Sequence, residues 1–204
     1  MNERKTGLTD DLNDLGAFSE SLKPGDVAVI CGEHGVGKTT LALKIANFLA
    51  PDAQEMKNDK EAKRALIFSP VKSSSVIMEA GLSKRYMLID DCSRLFLDAI
   101  VSRTQAVARV FNLKALVIDD FQAVTRQFMS APGEKRGEIV AALKKMGTEL
   151  GIPVVLTLPE ARQVPCGYSQ CNLQFLNELA ELIDVCVCLG RGDSGKVSYC
   201  MMRK

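Results

Sequence analysis

Short apolar blocks and longer amphipathic stretches take turns along the chain. Short blocks rich in Val, Ile and Leu are typical of buried strands, whereas apolar residues three and four positions apart are typical of helices. The pattern predicts strands at 26–31, 65–68, 86–90, 115–119, 154–157, 184–189 and 196–202. It predicts helices at 40–50, 94–112, 134–150 and near 173–181, and a short helix within 71–83.

Strands that alternate with helices indicate an α/β fold, a mainly parallel, twisted, doubly wound sheet with helices on both faces. The strand at 115–119 is apolar up to its final aspartate, as expected in the middle of such a sheet. Ligands of this fold class bind at the carboxyl ends of the strands. Residues 1–25 are polar with scattered apolar positions, so we expect an N-terminal extension followed by one core over 26–204.

Composition is that of a globular protein, with 204 residues of which 47% are hydrophobic and 25% charged. The net charge of +1 gives no overall attraction to nucleic acid or membrane, so such contacts must come from a local patch or from several subunits together. The sequence has no apolar run of about 18 residues, and its start, MNERKTGLTD, is not a signal peptide. We therefore expect a soluble cytoplasmic protein without membrane contact.

Seven cysteines invite a metal or disulfide interpretation, but their positions do not favour one. Cys186 and Cys188 alternate within a predicted strand, and Cys31 ends another strand. Only Cys166 and Cys171 fall in a predicted loop, and no second pair has ligand spacing. The count is odd, so we expect structural thiols and no metal bound by cysteine.

Residues 32–39 read GEHGVGKT, a complete G-x-x-x-x-G-K-[ST] phosphate-binding loop (Walker A) between a predicted strand and a predicted helix. Its glycines let backbone amides turn towards a phosphate, and the helix that follows directs its N-terminal dipole at the same anion. We expect Lys38 to reach the β- and γ-phosphates of a nucleoside triphosphate, and the Thr39 hydroxyl to bind Mg²⁺. The nucleotide-binding residues predicted from the motif are Gly32, Glu33, His34, Gly35, Val36, Gly37, Lys38, Thr39 and Thr40.

Asp119 ends an apolar strand well downstream of the phosphate-binding loop. This is the placement of a Walker B aspartate, which holds Mg²⁺ directly or through water. Thr39 and Asp119 are therefore the predicted metal-binding pair. Asp120 follows directly, and paired aspartates at a strand end also form turns or helix caps, which is the alternative interpretation.

The order of these segments resembles the RecA-like motor domain of DnaB-type replicative DNA helicases. The phosphate-binding loop alone indicates only a P-loop protein, whereas the combination of blocks points to this family. The resemblance runs over nearly the whole chain. The similar segments, besides the phosphate-binding loop, are 6–12, 22–26, 65–69, 86–91, 116–122, 143–156 and 178–185.

The resemblance implies an ATPase that uses ATP and Mg²⁺ and assembles as a homo-oligomeric ring, such as a hexamer. Nucleotide would lie between subunits, and single-stranded DNA would pass through the centre. By position, Lys38 and Thr39 bind phosphate and metal and Asp119 holds Mg²⁺. Gln122 would couple the site to neighbouring elements. Arg203 falls where the family places an arginine finger that reaches the γ-phosphate of the next subunit, with a tail arginine in solvent as the alternative.

Two predicted loops, about 124–136 and 162–174, would face the central pore and contact DNA. Basic, amide and aromatic side chains in one loop suit backbone contact together with base stacking. An ordinary solvated loop also carries basic residues, so this assignment depends largely on the resemblance. The candidate nucleic-acid residues are Arg126, Lys135, Arg136 and Arg162.

The chain departs from the family at the position of the glutamate that orients or deprotonates the attacking water. Val71 occupies that position and cannot accept a proton, so hydrolysis should be impaired unless another carboxylate substitutes. Asp120 and Glu160 are the candidates, since both follow strand ends. The neighbouring Lys72 either touches phosphate or is a solvated loop lysine.

Two further departures lie at the family's sensor glutamine, replaced by Leu158, and at the lysine that accompanies the finger, replaced by Met201. Two function classes therefore stay open. One is an ATP-hydrolysing DnaB-helicase-like motor acting on DNA in replication or recombination. The other is a catalytically weakened ATP-binding regulator or assembly partner of a replication factor. A small-molecule kinase is a third class, but the sequence has no clear arginine-rich lid.

Overall fold

The structure is a computed structural model that describes residues 3–8, 18–51, 62–79, 87–93, 95–126, 132–159, 179–191 and 197–204. Within these ranges, the backbone alone is described for 3–8, 125–126, 132–135, 159 and 198. No helix in the described part of the chain is both long and apolar enough to cross a membrane.

One sheet of eight strands, mostly parallel, forms the centre of the fold, which confirms the predicted α/β class. Its spatial order is β1-β8-β7-β2-β6-β5-β3-β4, and only the β1–β8 and β7–β8 pairs are antiparallel. The strands are β1 (Glu3–Leu8), β2 (Val27–Gly32), β3 (Lys63–Phe68), β4 (Met87–Asp90), β5 (Asn112–Ile118), β6 (Val154–Pro159), β7 (Val185–Arg191) and β8 (Val197–Arg203).

Helices cover both faces of the sheet, as predicted. They are α1 (Lys38–Leu49), α2 (Ser74–Glu79), α3 (Leu97–Val110), α4 (Phe121–Arg126) and α5 (Pro132–Leu150). Alternate residues of the strands divide the core: Val29 packs in a cluster with α3 and α5, whereas Ile30 packs in a cluster with α1. The helix predicted near 173–181 lies mostly outside the described residues.

Two elements differ from the sequence-based prediction. The pattern gave no strand in the polar residues 1–25, yet β1 pairs with β8 at the end of the sheet, from Glu3 opposite Arg203 to Leu8 opposite Ser198. A charged edge strand carries no apolar block, because it has little core to face. The predicted loop at 124–136 is also largely helical, since α4 extends to Arg126 and α5 begins at Pro132. The domain boundary at residue 25 stays a prediction.

Candidate nucleotide site

The carboxyl ends of four neighbouring parallel strands meet at one edge of the sheet, in the order β2, β6, β5, β3. The phosphate-binding loop follows β2, Thr157 lies in β6, Asp119 follows β5, and Lys72 lies four residues after the end of β3 at Phe68. The residues two before Asp119 and Thr157, which are Val117 and Val155, belong to the core cluster of α1. Strand alternation therefore directs Asp119 and Thr157 to the face that α1 covers.

The phosphate-binding loop joins β2 to α1 as predicted, and its glycines take conformations that other residues avoid. Gly35 and Gly37 have φ values of 76° and 104°, and α1 begins at the next residue, Lys38. No side chain caps the N-terminus of α1. The amides of its first turn are thus without a capping side chain, which is the arrangement that binds phosphate. Val36 is buried and anchors the loop to the α1 cluster.

Lys38 lies folded against its own loop. Its Nζ donates to the carbonyl oxygens of Gly32 at 2.7 Å and Glu33 at 2.6 Å. Burial lowers the pKa of Lys38, and Lys72 adds to this effect, whereas Asp120 and Asp119 oppose it. The ammonium thus lies within the loop that would hold a phosphate. Glu33, His34, Gly35 and Thr40 are exposed at the same edge.

Asp119 and Thr39, the predicted metal-binding pair, are in direct contact. Thr39 Oγ1 donates to the two carboxylate oxygens of Asp119 at 3.1 and 2.9 Å. Thr157 Oγ1 donates to Asp119 Oδ1 at 2.5 Å, and Asp119 is only 2% exposed. A hydroxyl and a carboxylate are the hard oxygen donors that Mg²⁺ prefers, so the donor set fits this ion.

Lys72 corrects one of the two interpretations that the sequence left open. It is not a solvated loop lysine, because its Nζ contacts Thr39 Oγ1 and lies 2.9 Å from Asp119 Oδ2. The Lys72 side chain is 38% exposed and forms an ion pair with the buried Asp119. Val71 beside it is 64% exposed and supplies neither a proton acceptor nor a packing contact of the core.

Asp120 and Gln122 lie at the start of α4. Asp120 Oδ1 accepts a hydrogen bond from the Gln122 amide at 2.8 Å, and its carbonyl accepts one from the Ala123 amide at 3.1 Å. This is the helix-capping role that was the alternative for the second aspartate. Its charge nevertheless raises the pKa of Lys38, so a carboxylate lies near that ammonium. Glu160, the other candidate carboxylate, lies outside the described residues.

Leu158 at the sensor position is buried in the core cluster of α3 and α5, on the sheet face opposite to Thr157. Arg203 lies far from the phosphate-binding loop of its own chain, since it pairs with Val185 at the beginning of β7. Its Nη1 donates to the Ser21 carbonyl at 2.5 Å, and its Nη2 donates to Asp26 Oδ2 at 3.1 Å.

The candidate DNA-binding residues are only partly described. Arg126 belongs to α4 and Lys135 to α5, and neither side chain is described. Arg136 lies in the first turns of α5 and is half-buried. These positions correct the expectation that all three lie in an open loop. Arg162 and the whole predicted loop 162–174 lie outside the described residues.

Thr157 and Arg191 are site residues that sequence reasoning did not assign. Arg191 ends β7, next to β2, and its Nη2 donates to the Gly35 carbonyl at 3.0 Å. A hydroxyl near the end of an apolar strand, and an arginine at a strand end, were the only signals available. Neither is specific without the order of the strands.

Three cysteine sulfurs lie together on the other face of the sheet, beneath the phosphate-binding loop. Cys31 Sγ is 3.1 Å from Cys188 Sγ and 4.0 Å from Cys186 Sγ. Cys31 and Cys186 are free thiols, whereas Cys188 is disulfide-bonded. The expectation of structural thiols is therefore wrong for Cys188. Cys166 and Cys171 lie outside the described residues.

Comparison with known proteins gives one consistent result. The family described as DnaB-like helicase C terminal domain matches residues 7–165. The replicative DNA helicase DnaB of Buchnera aphidicola is 26% identical over 185 residues, which are 74% of this chain and 38% of the relative. That of Rickettsia prowazekii is 28% identical over 193 residues, or 78% and 39% of the two chains. The chain thus spans about two fifths of these relatives.

Two solved structures share the fold. One is an isolated ATPase domain, with a TM-score of 0.65 and 18% identity, and the match covers 85% of this chain and 72% of that one. A DnaB-like replicative helicase, solved in a study of its interactions with primase, has a TM-score of 0.66 and 18% identity. That match covers 84% of this chain and 48% of the helicase. The sheet described above is therefore a RecA-like ATPase fold.

Proposed function

Because the chain belongs to the family of DnaB-like helicase C-terminal domains, we propose that it binds and hydrolyses ATP and acts on DNA in replication or recombination. The observation that carries this proposal is the convergence of Lys38, Thr39 and Asp119 at one edge of the sheet. A basic group, a hydroxyl and a carboxylate at the N-terminus of a helix are the groups that binding of a nucleoside triphosphate with Mg²⁺ requires.

Each residue has a distinct role in this proposal. Lys38 exchanges the carbonyls of Gly32 and Glu33 for the β- and γ-phosphates, while the amides of residues 35–40 surround the phosphate chain. Thr39 and Asp119 hold Mg²⁺, which neutralises the charge of the phosphates. Thr157 keeps the Asp119 carboxylate oriented through its 2.5 Å hydrogen bond.

The assembly is a homo-oligomeric ring with nucleotide between subunits and single-stranded DNA in the centre. Gln122 couples the site to α4, and Arg126, Lys135, Arg136 and Arg162 contact the DNA backbone. Arg203 acts on the γ-phosphate of the next subunit, for which it must leave Ser21 and Asp26. Another replication protein is the expected partner class, because a similar solved helicase was studied with primase.

Titration with mant-ATP, an ATP that carries a fluorescent methylanthraniloyl group, tests nucleotide binding directly. The wild-type chain should bind it in Mg²⁺, and Lys38→Ala should weaken binding by about 10-fold or more, because it removes the charge that meets the phosphates. Lys145→Ala is the matched control, since Lys145 is a surface lysine of α5 with only a long contact to Glu149. Equal binding by all three proteins would contradict the proposal.

One observation favours the second candidate, an ATP-binding regulator or assembly partner that hydrolyses slowly. The family position of the catalytic glutamate carries the exposed Val71, and no carboxylate of the described residues takes its place beside Thr39 except Asp119 itself. Asp119 holds the metal and so cannot serve as the base. The regulator predicts tight mant-ATP binding with negligible turnover, whereas the motor predicts turnover that DNA stimulates.

A further inference from the structure

Lys72 lies where the structure would otherwise need a metal ion. Its ammonium contacts Thr39 Oγ1 and lies 2.9 Å from Asp119 Oδ2. These are the same two groups whose oxygens fit Mg²⁺. The side chain thus places a positive charge between the hydroxyl and the carboxylate.

The charge balance of the site explains why a cation is required there. Asp119 is 2% exposed, and a buried carboxylate is costly unless a positive charge is near. Thr39 and Thr157 donate hydrogen bonds but carry no charge. The Lys38 ammonium donates instead to the carbonyls of Gly32 and Glu33. Lys72 is therefore the cation in direct contact with Asp119.

The backbone on either side holds Lys72 in this position. On one side, the Ser69 amide donates to the Asp90 carbonyl at 2.8 Å, which fixes the end of β3. On the other side, Asp91 Oδ2 accepts from the Ser74 amide at 2.9 Å, where α2 begins. Only four residues separate these two anchors. The segment that carries Lys72 is short and tied at both ends, so it directs the lysine to the site with little freedom.

We infer that Lys72 is a built-in cation at the metal position, so that this chain binds a nucleoside triphosphate without a divalent ion. The inference rests on the proposed nucleotide binding and adds a requirement to it: the ammonium neutralises the phosphates from the position that Mg²⁺ takes in the general mechanism. Mg²⁺ and Lys72 then compete for Thr39 and Asp119. Removing the Lys72 charge makes the site dependent on the metal.

Mant-ATP titrations in EDTA and in excess Mg²⁺ test this inference. The wild-type Kd should differ by no more than about threefold between the two conditions. Lys72→Met should bind about 10-fold or more weakly in EDTA than in Mg²⁺, because a buried carboxylate loses its partner charge. Lys145→Met, the same substitution at an exposed lysine of α5, should behave as the wild type.

A second measurement needs no nucleotide. In EDTA, Lys72→Met should unfold about 2–4 °C below the wild type, and millimolar Mg²⁺ should raise its Tm but not that of the wild type. If Lys72→Met does not fold, Lys72→Gln serves, because it removes the charge and keeps a donor for Asp119. If none of the proteins binds mant-ATP, the proposed function fails, and the Tm response still decides the role of Lys72.

The deciding quantity is the difference between wild type and variant in their response to Mg²⁺. A metal requirement that appears only in the Lys72 variant supports the inference. Equal responses of wild type and variant to Mg²⁺, in affinity where nucleotide binds and in Tm where it does not, would overturn it.

Discussion

At the scale of single residues, Asp119 organises the site. Its carboxylate accepts from Thr39 at the start of α1, from Thr157 in β6 and from Lys72 after β3. These donors follow or belong to three different strands, and Asp119 itself follows a fourth. A nearly buried carboxylate with this many donors is held in one orientation before any ligand arrives. The site is thus prearranged around a positive charge.

Thr157→Val should lower both stability and nucleotide affinity. The change removes the hydroxyl bonded to Asp119, so we expect a loss of about 1–2 kcal/mol in the free energy of unfolding. Affinity for mant-ATP with Mg²⁺ should fall about 3- to 10-fold, because the carboxylate loses its fixed orientation. Urea denaturation and fluorescence titration measure the two effects.

The control for this prediction is Thr104→Val in α3. Thr104 is also buried, and its hydroxyl donates to the Ile100 carbonyl at 2.7 Å, away from the site. It should lose stability through its own hydrogen bond and keep its nucleotide affinity. Equal affinity losses in both variants would contradict the role of Thr157.

The sequence was sufficient for residues whose signal is local. Lys38 and Thr39 belong to one contiguous motif, and Asp119 stands at the end of an apolar strand. Lys72, Thr157 and Arg191 reach the site only because β2, β6, β5 and β3 lie side by side and β7 borders β2. That order depends on long-range pairing, which no short segment encodes. Their contacts therefore could not be predicted from spacing.

At the scale of elements, the turn from β2 into α1 depends on glycine conformation. Gly37→Ala should weaken mant-ATP binding, because a φ of 104° strains any residue with a Cβ by about 1–2 kcal/mol. An added Cβ would meet no atom within 4 Å, so crowding does not contribute. Titration and thermal unfolding of the same variant measure both consequences.

Gly151→Ala provides a matched control at the end of α5. Gly151 also has a positive φ, 67°, and open space around an added Cβ, but it lies away from the phosphate-binding loop. It should lose similar stability and keep wild-type affinity. A loss of affinity in both variants would show that general destabilisation, rather than the shape of the loop, is responsible.

The last strand, β8, is tied to the start of β2 by the ion pair between Arg203 and Asp26. Arg203→Gln and Asp26→Asn should each lower the unfolding free energy by about 0.5–1.5 kcal/mol, and the double variant by less than the sum. The proposed finger adds a second expectation. Only Arg203→Gln should lower kcat, by about 100-fold or more, because Asp26 touches no nucleotide. Equal kcat values in both variants would contradict the finger and leave a structural pair.

Elements with apolar blocks were predictable, and those without were not. The strands that became β2 to β8 and the helices α1, α3 and α5 all bury a regular apolar pattern. β1 carries Glu3, Arg4 and Lys5 at the edge of the sheet, and so gives no such pattern. The short α4 was hidden because its capping residue, Asp120, is also typical of a turn.

At the scale of the whole molecule, the chain corresponds to a RecA-like ATPase core and to about two fifths of the curated relatives. In the proposed ring, nucleotide and DNA sites are completed by neighbouring copies. Light scattering coupled to size-exclusion chromatography should therefore detect a ring-sized assembly with ATP and single-stranded DNA. A smaller, defined complex under the same conditions would support the regulator, and a monomer indifferent to both ligands would contradict the two candidates.

Steady-state ATP hydrolysis, with and without single-stranded DNA and beside Lys38→Ala, tests the central claim most directly. The account predicts turnover that DNA raises several-fold and that Lys38→Ala abolishes, because the same lysine holds the reacting phosphates. Lys145→Ala should match the wild type. Tight nucleotide binding with negligible turnover, whether or not DNA is present, would contradict the motor and leave an ATP-binding regulator.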